Sequence, residues 1–346
     1  MNTAYLKTLM FLLVSIGFLL SPAVGAGPAD AANSQESNLR YPKIGLVMNG
    51  DGAFGFTQIG VLHWLEDHHI PIGVIAGTSV GAWVGGAYAT GMSPAEILGF
   101  VKRIDFTMMI FFGDAPYQAK GNWAKVETVK LPGAPELQLG PLMPARTPDL
   151  LVPLLPGVAK AYRTLKSFDD LPTAFRCEAL DLAQRRILSL DRGSLPDALK
   201  ACITMAGVSN PVRVDGRILV SGSIVNGVPT EPARAAGADV IIASYARTAA
   251  VGNLDHQPQP VSALQQIIET LDIARLANEE RGLRLADVVI PLENDQLTVG
   301  DLNRMDWLEQ IGYNAAQAKT ATLLRFAVPD KEWNEYLRHR SDKRLR

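Results

Sequence analysis

Residues 72–90 read IGVIAGTSVGAWVGGAYAT. The stretch opens on an apolar run, Ile72–Ala76, short enough for a buried strand. It closes on Val80–Thr90, rich in Gly and Ala and helical by pattern, a helix built for close packing. Between them stands Gly77-Thr78-Ser79-Val80-Gly81, a G-x-S-x-G at a strand-to-helix junction. A sharp turn there lifts the serine hydroxyl clear of the backbone. Glycines at 77 and 81 permit the bend, and the helix N-terminus offers N–H groups to developing negative charge. Ser79 is therefore the candidate nucleophile.

Upstream lies Ile44–Asn49, another short apolar run, followed by Gly50-Asp51-Gly52-Ala53-Phe54-Gly55. Two readings of this loop compete. It matches the dinucleotide fingerprint G-x-G-x-x-G. It also suits a loop whose N–H groups form an oxyanion hole, with Gly50, Asp51, Gly52, Ala53 and Gly55 as its members. A dinucleotide fold wants an acid at the end of the second strand, and here that strand runs into Ala76-Gly77-Thr78-Ser79. The loop thus belongs with the serine. A helix is expected over Phe56–His68, with His63, His68 and His69 on or just after it at the surface. Ser93-Pro94-Ala95-Glu96 starts another helix, with Ser as cap and Glu three residues on.

Further along, CEALDL and RRILSL read as strands, and Gly193–Pro196 opens a helix running to about Met205. VRVDGRILV is a hairpin turning at Asp215-Gly216. DVIIASYA is a buried strand, Val261–Leu285 a long helix, ADVVIPL a last strand and Asp301–Phe326 a last helix. Strand–helix alternation predicts an α/β fold of three layers, a mostly parallel central sheet with helices on both faces. Residues 106–167 break the regularity with many prolines and apolar clusters, and read as an irregular, lid-like insertion or as ordinary packing on the core.

Composition narrows the function. Hydrophobic residues make up 47% of 346, enough for a large core, and 33 Lys plus Arg against 35 Asp plus Glu give a net charge of −2. That balance lacks the basic field a general nucleic-acid binder needs. Two cysteines, Cys177 and Cys202, cannot build a zinc site or a disulfide framework; they read as small buried side chains. Lys7 followed by LMFLLVSIGFLL and small residues reads as an export signal over residues 1–31, then a linker over 32–43. The expected location is periplasmic or secreted, with peripheral membrane contact. Residues 327–346, rich in Lys and Arg, read as a solvated, fraying tail.

A histidine-dependent triad finds no support, because after Ser79 only His256 and His339 remain, in a polar loop and the charged tail. Here a specific likeness enters. IGLVMNGDGAFGFTQIGVLHWLE, GVIAGTSVGAWVGGAYATGMSPAEI, SFDDLPTAFRCEALDL, RGSLPDALKACITMAGV, VDGRILVSGSIVNGVPTEPARAAGADVIIA and LADVVIPL occur in the order of blocks in the bacterial patatin-like phospholipase family. From about Ile44 to Ala318, apart from the lid-like segment, the chain resembles that family. The resemblance implies a Ser–Asp dyad that hydrolyses acyl esters of lipids through an acyl-enzyme, with no metal or organic cofactor.

It also exposes departures. The family's Asp-Gly-Gly or Asp-Gly-Ala motif is Ser221-Gly222-Ser223 here, so Ser221 stands where the aspartate belongs. Asp51 replaces a usual glycine, and Phe54 a usual basic residue. A hydroxyl cannot accept a proton from Ser79 at neutral pH, and a carboxylate at 51 opposes an oxyanion. Asp51 swinging toward Ser79 is one conceivable rescue; Asp181 and Asp215 read as structural. Impaired hydrolysis at Ser79 and a non-catalytic lipid-binding or regulatory pseudo-hydrolase are the two readings carried forward.

Overall fold

The computed structural model describes residues 41–104, 127–129, 137–139, 160–204, 206, 211–247, 263–298 and 300–344. The export segment, most of the 106–167 insertion and His256 lie outside these residues.

Strand β1 (Ile44–Met48) is buried along its whole length and leads into helices α1 (Ala53–Phe56) and α2 (Gln58–Asp67). Strand β2 (Ile72–Gly77) precedes α3 (Ser79–Ala89), every residue of which is buried, and α4 (Pro94–Val101) follows. The α4 start carries the expected capping box: Ser93 Oγ accepts from the Glu96 amide and the Glu96 carboxylate accepts from the Ser93 amide. Inside the segment read as irregular, β3 (Glu127–Val129) and β4 (Leu137–Leu139) form a short antiparallel pair.

Next come β5 (Ala174–Asp181), β6 (Arg186–Leu190), α5 (Leu195–Ile203), β7 (Val212–Val214) and β8 (Arg217–Ser221). The β7–β8 hairpin turns at Asp215 and Gly216, with φ of 48° and 76°. Then follow α6 (Thr230–Ala235), β9 (Val240–Tyr245), α7 (Ala263–Arg284) and β10 (Val288–Pro291). The central sheet has the order β10-β9-β1-β2-β5-β8-β7, with β6 also on β5. The five strands β10, β9, β1, β2 and β5 are parallel, and β6, β8 and β7 add an antiparallel edge. One face buries Ile75, Trp83, Phe175 and Leu199; the other buries Val47, Val74, Ala76, Val228 and Ile241. The fold class expected from the alternation is the one observed.

Two expectations need correction. The last helix is not continuous over Asp301–Phe326. It is α8 (Met305–Gln317), a turn at Ala318-Lys319, α9 (Thr320–Leu323) and a 3-10 turn, a break that carries Leu323 and Phe326 into the core. Nor does the basic terminus fray. It forms α10 (Asp330–Lys343), held by its aromatic side chains and by a buried arginine. Trp333 is buried and stacks on His69, and Arg340 is 4% exposed, donating to Glu66 at 2.7 Å and to the carbonyls of Tyr88 and Met92. The three histidines of the α2 region are partly exposed and partnered: His63 bonds Glu309, His68 stacks on Trp64 and His69 pairs with Asp330.

Candidate active site

Everything at the site hangs on how β2 ends. Thr78 is still extended (φ −131°, ψ 152°), and Ser79 then adopts φ 50°. A non-glycine residue in that region carries backbone strain, and the surroundings must enforce it. They do so by backbone contact. The Thr78 amide donates to the Met48 carbonyl at 3.1 Å, and the Gly81 amide donates to the Gly50 carbonyl at 3.3 Å. A Cβ on Gly77 would lie 2.6 Å from Ala82 Cα, and one on Gly81 2.6 Å from the Asn49 oxygen. Only glycine fits at either end of the pentapeptide.

The loop after β1 packs directly on this bend. Gly50 and Gly52 have φ of 115° and 52°, and a Cβ on Gly55 would sit 2.4 Å from Val80 Cβ. Asn49 braces it from below, its amide exchanging hydrogen bonds with the backbone of Ala246 at 3.0 and 2.7 Å. Ala53 is buried, and Asp51 is half-buried, its charge acting on Glu279. Thus the segment 50–55 and Ser79 are brought together, as the sequence predicts.

The predicted partner position, Ser221, lies on β8, with β5 between it and β2. Gly77 pairs with Cys177, and Ala179 with Ser221. Ser221 ends β8; its amide donates to the Thr204 carbonyl at 2.7 Å, and its hydroxyl lies 3.0 Å from that of Ser223. The chain then crosses toward Thr78, whose hydroxyl donates to the Gly227 carbonyl at 3.0 Å. Ser79 is 7% exposed, and among the described residues nothing hydrogen-bonds its hydroxyl. Neither Ser221 nor Asp51 does so.

Sequence reading missed two buried carboxylates. Glu178 on β5 is 5% exposed, and Asn226 donates to it at 2.9 Å. Burial pushes its carboxyl up to about 7; the Asn226 bond acts the other way and Glu231 adds to the rise. A glutamate inside CEALDL, a strand read as buried, was the available signal. Glu279 on α7 is 2% exposed, and burial holds its carboxyl above the ordinary range against the pull of Arg275. It accepts from Arg275 and Tyr245, and its Oε1 would lie 2.0 Å from a Cβ on Gly227. Asp181 caps the β5–β6 turn through the amides of Ala183 and Gln184, a structural role. His339 lines a cavity with Lys43 and Gly73, at the start of β2 and so at the far end of the strand from Ser79. Cys177 and Cys202 are buried free thiols. Among the described residues no group of three or more His, Cys, Asp or Glu side chains is placed to hold a metal ion.

A strained serine at a strand–helix bend, braced by a glycine loop on a largely parallel α/β sheet, defines the class of architecture. The sequence profile of patatin-like phospholipases matches residues 46–234, and the chain belongs to that family. An uncharacterised NTE family protein of Mycobacterium tuberculosis is 28% identical over 202 residues, 58% of this chain and 48% of that one. The lysophospholipase nte1 of Neurospora crassa is 24% identical over 215 residues, 61% of this chain and 12% of that one. The chain thus spans about half the length, or much less, of the curated relatives it matches. Among solved structures, VipD from Legionella pneumophila aligns with a TM-score of 0.46 at 14% identity, covering 83% of this chain and 67% of that chain.

Proposed function

We propose that this protein is a lipid acyl hydrolase in which Ser79 attacks the ester carbonyl and carries the acyl group. The observation that carries the reading is the φ of 50° at Ser79, enforced by glycine contacts on both sides. Strain of this kind persists where a hydroxyl must be presented at the end of a helix. In the proposed reaction, the Ser79 oxygen bonds to the carbonyl carbon and its proton leaves to a base. The tetrahedral oxyanion rests against amides of the Gly50–Gly55 loop. The C–O bond to the alcohol then breaks, and water releases the fatty acid from the acyl-enzyme. Membership in the family supports a lipid ester as substrate, and the name of the Neurospora relative supports a lysophospholipid among the candidates.

Ser221 in place of the dyad aspartate supports a reduced turnover, since loss of a general base costs on the order of 10²–10⁴-fold. That no described residue hydrogen-bonds the Ser79 hydroxyl favours the second reading, a lipid-binding protein without turnover. Purified protein assayed on a short-chain ester and on a lysophospholipid separates them. Hydrolysis abolished by Ser79→Ala supports the enzyme. Fatty-acid binding with no hydrolysis above the Ser79→Ala background supports the binder.

A further inference from the structure

Helix α7 packs on the segment after β8 but does not stop at the sheet. We propose that its projecting end, around Leu271 and Ile273, is the surface by which the protein settles on a neutral phospholipid layer, with Ser79 close behind. The inference rests on the lipid substrate of the reading above.

Three contacts fix where the helix passes the site. Asn278 donates to the Val225 carbonyl at 2.8 Å, and Glu279 fills the space beside Gly227. Gly227 in turn accepts from the hydroxyl of Thr78, the residue before the serine. From Glu279 onward α7 runs back along the sheet. Tyr245, at the end of β9, donates to Glu279, while the Asp287 amide donates to Ile241 near the start of that strand. The turns before Glu279 therefore run past the edge at which β1 and β2 end and Ser79 is raised. At 1.5 Å per residue, the helix from Ala263 to Glu279 extends about 24 Å along its axis beyond that level.

The character of the helix changes there. The described exposed side chains from Gln266 to Asn278 carry no charge, whereas Glu280, Arg281 and Arg284 below them are exposed and charged. Thr270, Ile273, Ala277, Arg281 and Arg284 follow one another at helical spacing, so one outer stripe turns from uncharged to basic at the level of the serine. A helix surrounded by water carries charge along its whole outer face. The two charges within the projecting part are turned to each other: Arg275 is buried and its Nε donates to Asp272 at 2.8 Å. Leu271 is 45% exposed, and Ile273, at 69%, is the most exposed large hydrophobic side chain among the described residues. The absence of charge on these exposed side chains decides the partner. An anionic surface is met by lysine and arginine clusters, while a neutral layer is entered by apolar side chains alone.

The test is cosedimentation of the full chain with phosphatidylcholine vesicles, beside Leu271→Asp/Ile273→Asp and a control, Leu337→Asp. Leu337 is an exposed leucine of α10, next to Tyr336, which bonds the Ile72 backbone at the opposite end of the sheet. Wild type and Leu337→Asp are expected to bind alike, unchanged between about 0.05 and 0.5 M salt. The double variant is expected to bind at least about tenfold more weakly with an unaltered melting temperature. Its hydrolysis of vesicle phospholipid should fall with binding, while its hydrolysis of a soluble ester and its labelling by a soluble fluorophosphonate should not. A wild type that stays off neutral vesicles, or binds only anionic ones and leaves them in salt, overturns the docking surface alone. So does a double variant that binds as wild type, or a Leu337→Asp protein that loses as much. A wild type that is dimeric where the double variant is monomeric also overturns it, because a second copy then covers the tip. Neutral-vesicle binding that needs Leu271 and Ile273, in a protein never labelled at Ser79, supports the surface and overturns the hydrolase reading.

Discussion

The amide of Gly81 donates to the carbonyl of Gly50 at 3.3 Å, tying the loop after the first strand to the helix after the second. Ser79 is raised at that junction. Gly81→Ala would drive a methyl to 2.6 Å from the Asn49 oxygen, with backbone on both sides and no flexible side chain to yield. The expected outcome is a loss of about 1–3 kcal/mol in urea denaturation. Ester hydrolysis should fall at least tenfold in protein that still folds, since a misplaced nucleophile loses rate steeply.

A second close approach holds the helical layer. A Cβ on Gly60 of α2 would lie 1.8 Å from the Glu309 oxygen, and one on Gly312 of α8 would lie 1.8 Å from the Thr57 oxygen. Gly60→Ala must push the two helices apart and is expected to cost about 1–3 kcal/mol or more. Gly99, in α4, has nothing within 4 Å of an added Cβ. There alanine is expected to raise stability by up to about 1 kcal/mol. Denaturation midpoints of the two variants should therefore move in opposite directions.

Glu178 gives stability a pH dependence of definite sign. Its folded-state carboxyl titrates at about 7 against an ordinary 4.5, so the folded chain holds this proton more tightly than the unfolded one. The stability it contributes is complete below about pH 4.5 and is lost as pH rises through 7. The loss is on the order of 3 kcal/mol. Glu178→Gln should match wild type near pH 4 and exceed it at pH 8 by thermal denaturation. A variant less stable than wild type at pH 8 would contradict this.

The carboxyl-terminal helix is expected to be part of the stable body. Arg340→Met leaves Glu66 without its buried partner and the Tyr88 and Met92 carbonyls without a donor. A cost of about 3–5 kcal/mol follows, visible as a lowered melting temperature. Lys343→Met, at an exposed position on the same helix, should change little.

The elbow was legible in the sequence because its signals are local: an apolar run, G-x-S-x-G and a small-residue helix lie within 19 residues. The loop at 50–55 was legible for the same reason, and so were the capping box at Ser93 and the Asp215-Gly216 turn. What the sequence hid depends on partners far along the chain. Residues 330–343 look like a solvated tail because Lys, Arg, Asp and Glu dominate them. Trp333, Tyr336 and Arg340 share one face by helical spacing, yet their targets, His69, Ile72 and Tyr88, lie about 260 residues earlier. Glu178 was overlooked because a strand pattern gives its direction but not what crosses over it. Its place beside the Ser221 segment appears only once β5 is set between β2 and β8.

Whether Ser79 is held as a nucleophile is read most directly from the intact mass of the protein after exposure to a fluorophosphonate. One covalent adduct is expected, mapped by peptide analysis to the segment containing Ser79 and absent from folded Ser79→Ala. An unmodified mass under conditions that label a control serine hydrolase, or an adduct that persists in Ser79→Ala, would contradict it.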